Sequence, residues 1–394
     1  MAISFEKTSK IIITCPKFIS KYLAEEVNAL GYTIVEQWPT GVAIEGSLND
    51  CIRLNLNIRT GNQVLWLIED GMAKDAKELY EFSSKIQWEE MIDFSGYLCI
   101  TSNVQNDSID NNLFANVKLK DAIVDRFREK KGIRPDSGPE RNKTVIHLFW
   151  KEMDVAIYID TSGETLSKHN YRKHPGLAPM QENLAAATIL ATKWDRSSNF
   201  VNPMCGSGTL AIEAAMIAQN RSIGLLRSNY GFMHILGYDE DVYEQMRKEA
   251  KAKVKKNIDF KIIASDISPI AISNSISNAQ TAGVDHLIEF RIEDFNETKC
   301  PEGKGIVMFN PEYGERLGEF EELELVYKSI GDYLKKEAKG YFGYIFTASP
   351  NLAKKVGLKA ERKIEFFNSK LECRLLEYDI YEGSKREPKV TSKN

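Results

Sequence analysis

The sequence predicts an α/β protein whose C-terminal half is an open, mostly parallel sheet with helices on both faces. Three observations carry that prediction. Residues 199–218, NFVNPMCGSGTLAIEAAMIA, read as a short apolar strand, a glycine-bearing turn and an apolar helix. From Phe200 onward, apolar runs of strand length alternate with helical patterns, which is the signature of parallel β-α-β units. Asn202, Asp266, Asp294 and Asn310 each fall at the carboxyl end of a different predicted strand, and those ends form the edge where open α/β sheets bind ligands.

The N-terminal half reads as smaller α/β modules. Strand patterns at 10–15, 33–35, 41–46 and 64–69 enclose helices at 19–30 and 49–56, with Gly31 ending the first and Asp50 near the cap of the second. That β-α-β-β-α-β order predicts a ferredoxin-like module over residues 1–70. Residues 71–165 repeat the mixed character. Helices are expected at 78–84, 88–92 and 111–130, a strand at 97–101, and a hairpin from strands at 144–150 and 155–160. Residues 166–180 are rich in turn formers and predict a linker into a domain that runs to 385, with a polar tail at 386–394. Within that domain, helices are expected at 181–193, 242–255, 270–282 (stopped by Gly283), 320–334 and 351–356. Strands follow at 261–264, 286–292, 305–309, 340–347 and 371–381.

Composition narrows the functional classes. Apolar residues at 43% and charged residues at 27% suit a folded, soluble chain. A net charge of −4 does not advertise nucleic-acid binding, although a whole-chain sum conceals local basic faces. The six cysteines are scattered without a C-x-x-C pair and the five histidines show no ligand spacing, so no metal site is expected. No stretch approaches the ~20 apolar residues of a membrane helix. The expected location is the cytoplasm, and no membrane partner is expected.

Two basic features admit two readings each. The helix at 111–130 carries Lys118, Lys120, Arg126 and Arg128 on its outer side, as either a solvated face or an RNA-backbone contact. Lys168, His169, Tyr171, Arg172, Lys173 and His174 form a basic, aromatic-interleaved run, as either a solvated linker or a face for a polyanion.

The strand-end residues suggest a chemistry. Gly206 and Gly208 permit close approach of a ligand to the turn. Asp266 is suited to accept both hydroxyls of a ribose, and Asp294 the exocyclic amine of an adenine. Alternatively, each carboxylate caps a helix or a turn. The motif Asn310-Pro311-Glu312-Tyr313 is more specific. An exocyclic amine on a base is a poor nucleophile because its lone pair is delocalised into the ring. An Asn side-chain oxygen and the following carbonyl can accept its two N–H groups and turn that lone pair toward a sulfonium methyl. Tyr313 offers a face for the base. Such a transfer needs positioning more than strong base catalysis.

At these residues the sequence resembles the THUMP-domain-containing rRNA guanine-N2-methyltransferases, a group often labelled N6-adenine-specific DNA methylases. The resemblance is carried by FANVKLKDAIVDRFR, by SGETL-x-KHNYR-x-x-x-GLAPMQENLAAA, and by NPMCGSGTLAIEAA, ASDISPIAI and NPEYGERLG. It implies a THUMP RNA-binding domain at 71–165 and a Rossmann-like class I methyltransferase domain at 166–385. It implies S-adenosylmethionine as cofactor, with Cys205, Gly206, Gly208 and Thr209 beside its methionine part. Asp266 and Ile267 would sit at the ribose, Asp294 and Phe295 at the adenine, and Asn202, Pro179 and Asn183 would complete the wall. Asn310, Pro311 and Tyr313 would hold the target amine, and Lys120, Arg126, Lys168, Tyr171 and Arg172 are expected to contact RNA. This chain has Asn202 where the family usually has Asp, and Glu312 where it usually has a second Pro. The implied activity is methylation of a guanine N2 in large-subunit (23S) rRNA. N6-adenine methylation of DNA or RNA, and a cofactor-binding RNA-assembly factor with weak catalysis, stay open as alternatives, as does the oligomeric state.

Overall fold

A computed structural model describes residues 2–93, 96–109, 111–175, 180–313 and 320–381. In chain order the elements are β1 (Thr8–Thr14), α1 (Ser20–Ala29), β2 (Glu36–Trp38), β3 (Gly41–Ser47), α2 (Leu48–Asn57), β4 (Gln63–Met72), α3 (Ala76–Ser83), β5 (Tyr97–Gln105), α4 (Asn112–Lys131), β6 (Asp136–Ser137), β7 (Thr144–Lys151) and β8 (Asp154–Asp160). They continue with α5 (Glu182–Leu190), β9 (Asn199–Pro203), α6 (Thr209–Ala218), α7 (Glu240–Ala252), β10 (Ile262–Asp266), α8 (Pro269–Ala282), β11 (Ile288–Ile292), β12 (Gly305–Phe309), α9 (Phe320–Glu337), β13 (Tyr341–Thr347), α10 (Pro350–Lys355), β14 (Arg362–Asn368) and β15 (Leu371–Asp379). Contacts group the chain into two compact units: residues 1–170, 181–187 and 220–255, and residues 171–180, 188–219 and 256–394.

The first unit is built on one eight-stranded sheet of order β2-β3-β1-β4-β8-β7-β5-β6. Its first four strands have the ferredoxin-like order, with β1 antiparallel to both β3 and β4. β4 then pairs with β8 through a register shift between Leu67 and Glu69, so no break in the sheet falls near residue 70. Helix starts are set by side chains that accept otherwise unpaired N–H groups. Ser47 and Asp50 form a reciprocal box at α2. Asp75 caps α3 and Asn111 caps α4, which Gly132 ends in a left-handed conformation. The buried indoles of Trp88 and Trp150 each donate to a backbone carbonyl, at Ser83 and Ala73. Strand β2 lies at 36–38 rather than 33–35, and the helix expected at 88–92 is a single 3-10 turn at Trp88–Glu90.

The second unit carries a seven-stranded sheet of order β11-β10-β9-β12-β13-β15-β14. The first five of these run parallel, and β15 enters antiparallel between β13 and β14. β9 is the first strand in sequence and sits mid-sheet. Chain order runs outward from it on both sides, and that reversal opens a crevice between the carboxyl ends of β9 and β12. Val201, Ile263, Val307 and Ile345 are buried with Tyr327, Ile330 and Leu334 of α9 and Leu352 of α10. Each such side chain contributes about 1.5–3 kcal/mol relative to exposure. Strand β14 was not expected from the sequence. Its residues Arg362, Lys363 and Glu365 are exposed, as suits the edge of a sheet, and they hide the apolar pattern.

Candidate functional site

The carboxyl edge of the second unit's sheet gathers the turn at 202–209, Asp266 and Asn310. The turn is shaped by left-handed residues: Met204, Gly206 and Gly208 have φ of 54°, 56° and 83°. A Cβ on Gly208 would meet Ser275 Oγ at 2.0 Å, whereas one on Gly206 would meet nothing within 4 Å. Gly208 therefore permits α6 to pack on α8, while the space over Gly206 is left open beside the main chain.

Asp266 closes β10 and braces that turn. Its Oδ2 accepts from the Gly206 N–H and its Oδ1 from the Ser268 N–H, both at 2.9 Å. Each carboxylate oxygen retains acceptor capacity. The residue after it, Ile267, is 70% exposed, and Ile292, its neighbour at the end of β11, is 59% exposed. These two isoleucines leave apolar surface beside a carboxylate, and sequence reasoning missed Ile292. The signal was present: a large apolar residue ending a strand immediately before the polar pair Glu293-Asp294.

Asn202 is buried at the end of β9. Its Nδ2 donates to the Met308 carbonyl of β12 at 2.9 Å, a bond that a carboxylate could not make. That carbonyl fixes the amide's orientation and leaves Asn202 Oδ1 buried with no donor among the described residues. Asn310 follows β12 and is in the same condition: its Oδ1 is buried and meets no donor among the described residues. A buried acceptor left unpaired costs about 1–3 kcal/mol, and two of them at one sheet edge offer acceptor positions to a donor from outside the described residues. Pro311 is buried and Glu312 exposed. The Tyr313 hydroxyl accepts from Asn368 Nδ2 at 3.2 Å, which ties this loop to the tip of the β14–β15 hairpin.

Other expected residues are found close by. Cys205 lies in the turn, where burial first and the Asp266 charge second push its thiol well above the ordinary range. Asp294 Oδ1 accepts from the backbone and side-chain amides of Asn296, both at 2.8 Å. Phe295 stands edge-on to Phe309 and Tyr333, at 5.8 and 6.1 Å between ring centroids.

The structure gives the remaining expected residues the following surroundings. Tyr171 is fully buried and presents no surface to RNA. Arg172 donates to the Thr209 hydroxyl at 2.9 Å and to the Met180 carbonyl, so it braces the start of α6 instead. Arg126 is held by both oxygens of Glu89, at 2.6 and 2.7 Å. Lys120 lies 3.9 Å from Asp121, and Lys168 remains exposed. Asn183 groups with the first unit, where its Nδ2 donates to Asn62 Oδ1 at 2.9 Å. Pro179, the end of the NPEYGERLG motif and the tail at 386–394 lie outside the described residues. Asn278 of α8 was not anticipated. It accepts from the Lys173 and His174 N–H groups and donates to the His174 and Ser207 carbonyls, pinning the linker to the glycine turn. Among the described residues there is no cluster of potential metal ligands, and no helix is long and apolar enough to cross a membrane.

Comparison with known proteins places each segment. Residues 10–65 match the RlmL ferredoxin-like domain and 73–160 the THUMP domain. The ribosomal RNA large subunit methyltransferase K/L of Syntrophotalea carbinolica is 36% identical over 383 residues, which are 95% of this chain and 54% of that protein. The chain thus spans about half the length of the curated relatives it matches. A crystal structure described as a possible methylase from Clostridium difficile 630 superposes with a TM-score of 0.86 at 29% identity, covering 96% of this chain and all of that one. A predicted N6-adenine-specific DNA methylase from Listeria monocytogenes gives 0.85 at 28% identity, covering 94% and 96%. The sheet with its mid-sheet first strand, save the last two residues of β15, and the strand-end residues on it fall within residues 169–377, which match the RMKL-like methyltransferase domain; the chain belongs to that family.

Proposed function

We propose that this chain is an S-adenosylmethionine-dependent methyltransferase that modifies the exocyclic N2 amine of a guanine in large-subunit rRNA. The observation that carries the reading is the unpaired, buried Asn310 Oδ1 at the carboxyl end of β12, beside a glycine turn braced by Asp266. S-adenosylmethionine supplies an electrophilic methyl when bound. Asp266 would hold its ribose hydroxyls, Asn202 Oδ1 would accept from its ammonium, and Asp294, Phe295, Ile267 and Ile292 would border its adenine. Asn310 accepts one N–H of the target amine, the Pro311 carbonyl accepts the other, and Tyr313 stacks on the base. These acceptors free the nitrogen lone pair from the ring.

The substrate class follows from the THUMP match and from the relatives' naming as rRNA methyltransferases. The first unit supplies most of the RNA affinity through exposed cations such as Lys168. The base must leave its stack to reach a recessed acceptor, and backbone contacts elsewhere offset that cost. The six cysteines are free, as suits work in the reducing cytoplasm. The test is nucleoside mass spectrometry of 23S rRNA from cells lacking this gene. Loss of one N2-methylguanosine, restored by the native chain and not by Asn310→Ala, supports the reading. An unchanged nucleoside profile refutes it.

A further inference from the structure

We propose that a basic groove on the outer strands of the seven-stranded sheet holds the single-stranded RNA that flanks the target nucleotide. The inference rests on the methyltransferase reading above. The groove has a volume of about 480 Å3, within the ~300–1,000 Å3 of ligand sites. Alternation along β15 turns Glu372, Arg374, Leu376 and Tyr378 toward it. Lys354 of α10, Lys359 of the following loop and Lys363 of β14 line it as well, with Leu358 adding apolar surface.

Charge distinguishes this groove. Its lining carries four cations and one carboxylate, on a chain whose net charge is −4. Arg374 is paired with Glu372 at 3.0 Å. Lys354, Lys359 and Lys363 are exposed and make no ion pair among the described residues, although neighbouring cations do: Lys355 pairs with Glu324 at 2.8 Å, and Arg362 with Glu377. Three unpaired ammonium groups repel one another, so a polyanion relieves a cost that the folded chain carries alone.

Position ties the groove to the site. β12 and β13 are adjacent and parallel, with Phe309 opposite Ile345. Thr347 and Ala348, which line the groove, therefore lie on the same sheet edge as Asn310. A nucleotide held at Asn310 sends its sugar-phosphate chain out at that edge. The groove then offers cations for phosphates and apolar surface for bases, which are the two demands of a single strand. A purely acidic protein partner would use only the first.

The test uses the full chain with Lys354→Gln, Lys359→Gln and Lys363→Gln combined. Affinity for a single-stranded oligoribonucleotide is measured across salt concentrations, alongside affinity for polyglutamate of equal length. Each phosphate contact on a single strand contributes ~0.7 to the slope of log K against log salt, so the slope should fall by about 2. KM for RNA should rise while kcat at saturating RNA and cofactor affinity stay unchanged, and the matching triple Arg variant should behave as the native chain. An unchanged slope and KM in a chain that methylates RNA overturn the groove and leave the enzyme reading intact. An equal loss of polyglutamate binding overturns RNA as the occupant. A native chain that binds RNA but methylates none overturns the enzyme reading, and the slope comparison still decides the groove.

Discussion

Asn310→Ala separates a residue kept for chemistry from one kept for structure. Among the described residues the buried Asn310 Oδ1 meets no donor. An unpaired buried acceptor costs about 1–3 kcal/mol, and truncation removes that cost while leaving a cavity a few atoms in size. The two terms oppose, so the variant should be as stable as the native chain or up to ~1 kcal/mol more stable. For a unit of this size that is a rise in Tm of no more than about 2–4 °C. Cofactor affinity by calorimetry should stay the same, because on the proposed reading the residue would meet the amine and not the cofactor. Turnover should fall on the order of 100- to 1,000-fold, the usual loss for one preorganised polar group at a reacting centre. Urea unfolding, calorimetry and single-turnover methyl transfer on one preparation give all three values. A loss of more than ~1 kcal/mol in stability would mean that Asn310 supports the fold, and normal turnover would end the amine-acceptor argument.

Other perturbations read other parts of the account. Asp266→Ala removes the acceptor for two N–H groups that shape the turn as well as the proposed ribose contact. Calorimetry should show cofactor affinity weakened by about 1.5–3 kcal/mol, or roughly 10- to 150-fold, and unchanged binding would take Asp266 out of the site. Gly208→Ala places a methyl 2.0 Å from Ser275 Oγ at a φ of +83°. Strain and overpacking should cost about 2–5 kcal/mol in urea unfolding, and a loss below 1 kcal/mol would contradict the packing of α6 on α8. In the first unit, burial raises the Asp160 carboxyl to about 7, with the Ser162 and Gly163 N–H groups acting against it. The folded state then holds a proton that the unfolded chain releases near pH 4. Stability from this group is complete below that pH and is lost as pH rises through about 7; Asp160→Asn should flatten the slope of stability between pH 4 and 7, and an unchanged slope would refute the assignment. Glu312 is exposed beside Asn310, and guanine N1–H is a donor adjacent to N2 whereas adenine N1 is an acceptor. Glu312→Pro should lower the guanine-to-adenine rate ratio, and an unchanged ratio would show that Glu312 does not read the base.

What the sequence disclosed was determined by local patterns. The glycine turn, the strand ends at Asp266 and Asn310, and the Gly283 stop of α8 are all written in a few adjacent residues, and the sheet places each of them where its pattern required. Features that depend on distant partners were not legible. The continuity of the eight-stranded sheet rests on β4 meeting β8, two strands far apart in sequence. Arg172 and Tyr171 look like a surface patch in KHNYRKH because nothing local reveals that Thr209 and Met180 engage the arginine and that the tyrosine is buried. Asn278 carries no motif at all, since its role exists only once α8 lies against the linker.

The central claim is that this chain places a methyl group on a guanine N2 amine. The most direct measurement incubates the purified chain with methyl-labelled S-adenosylmethionine and unmodified large-subunit rRNA, digests the RNA to nucleosides, and identifies the labelled one by mass spectrometry. The account predicts label in N2-methylguanosine and its absence with Asn310→Ala. Label in N6-methyladenosine, or in no nucleoside while the cofactor binds, would contradict it.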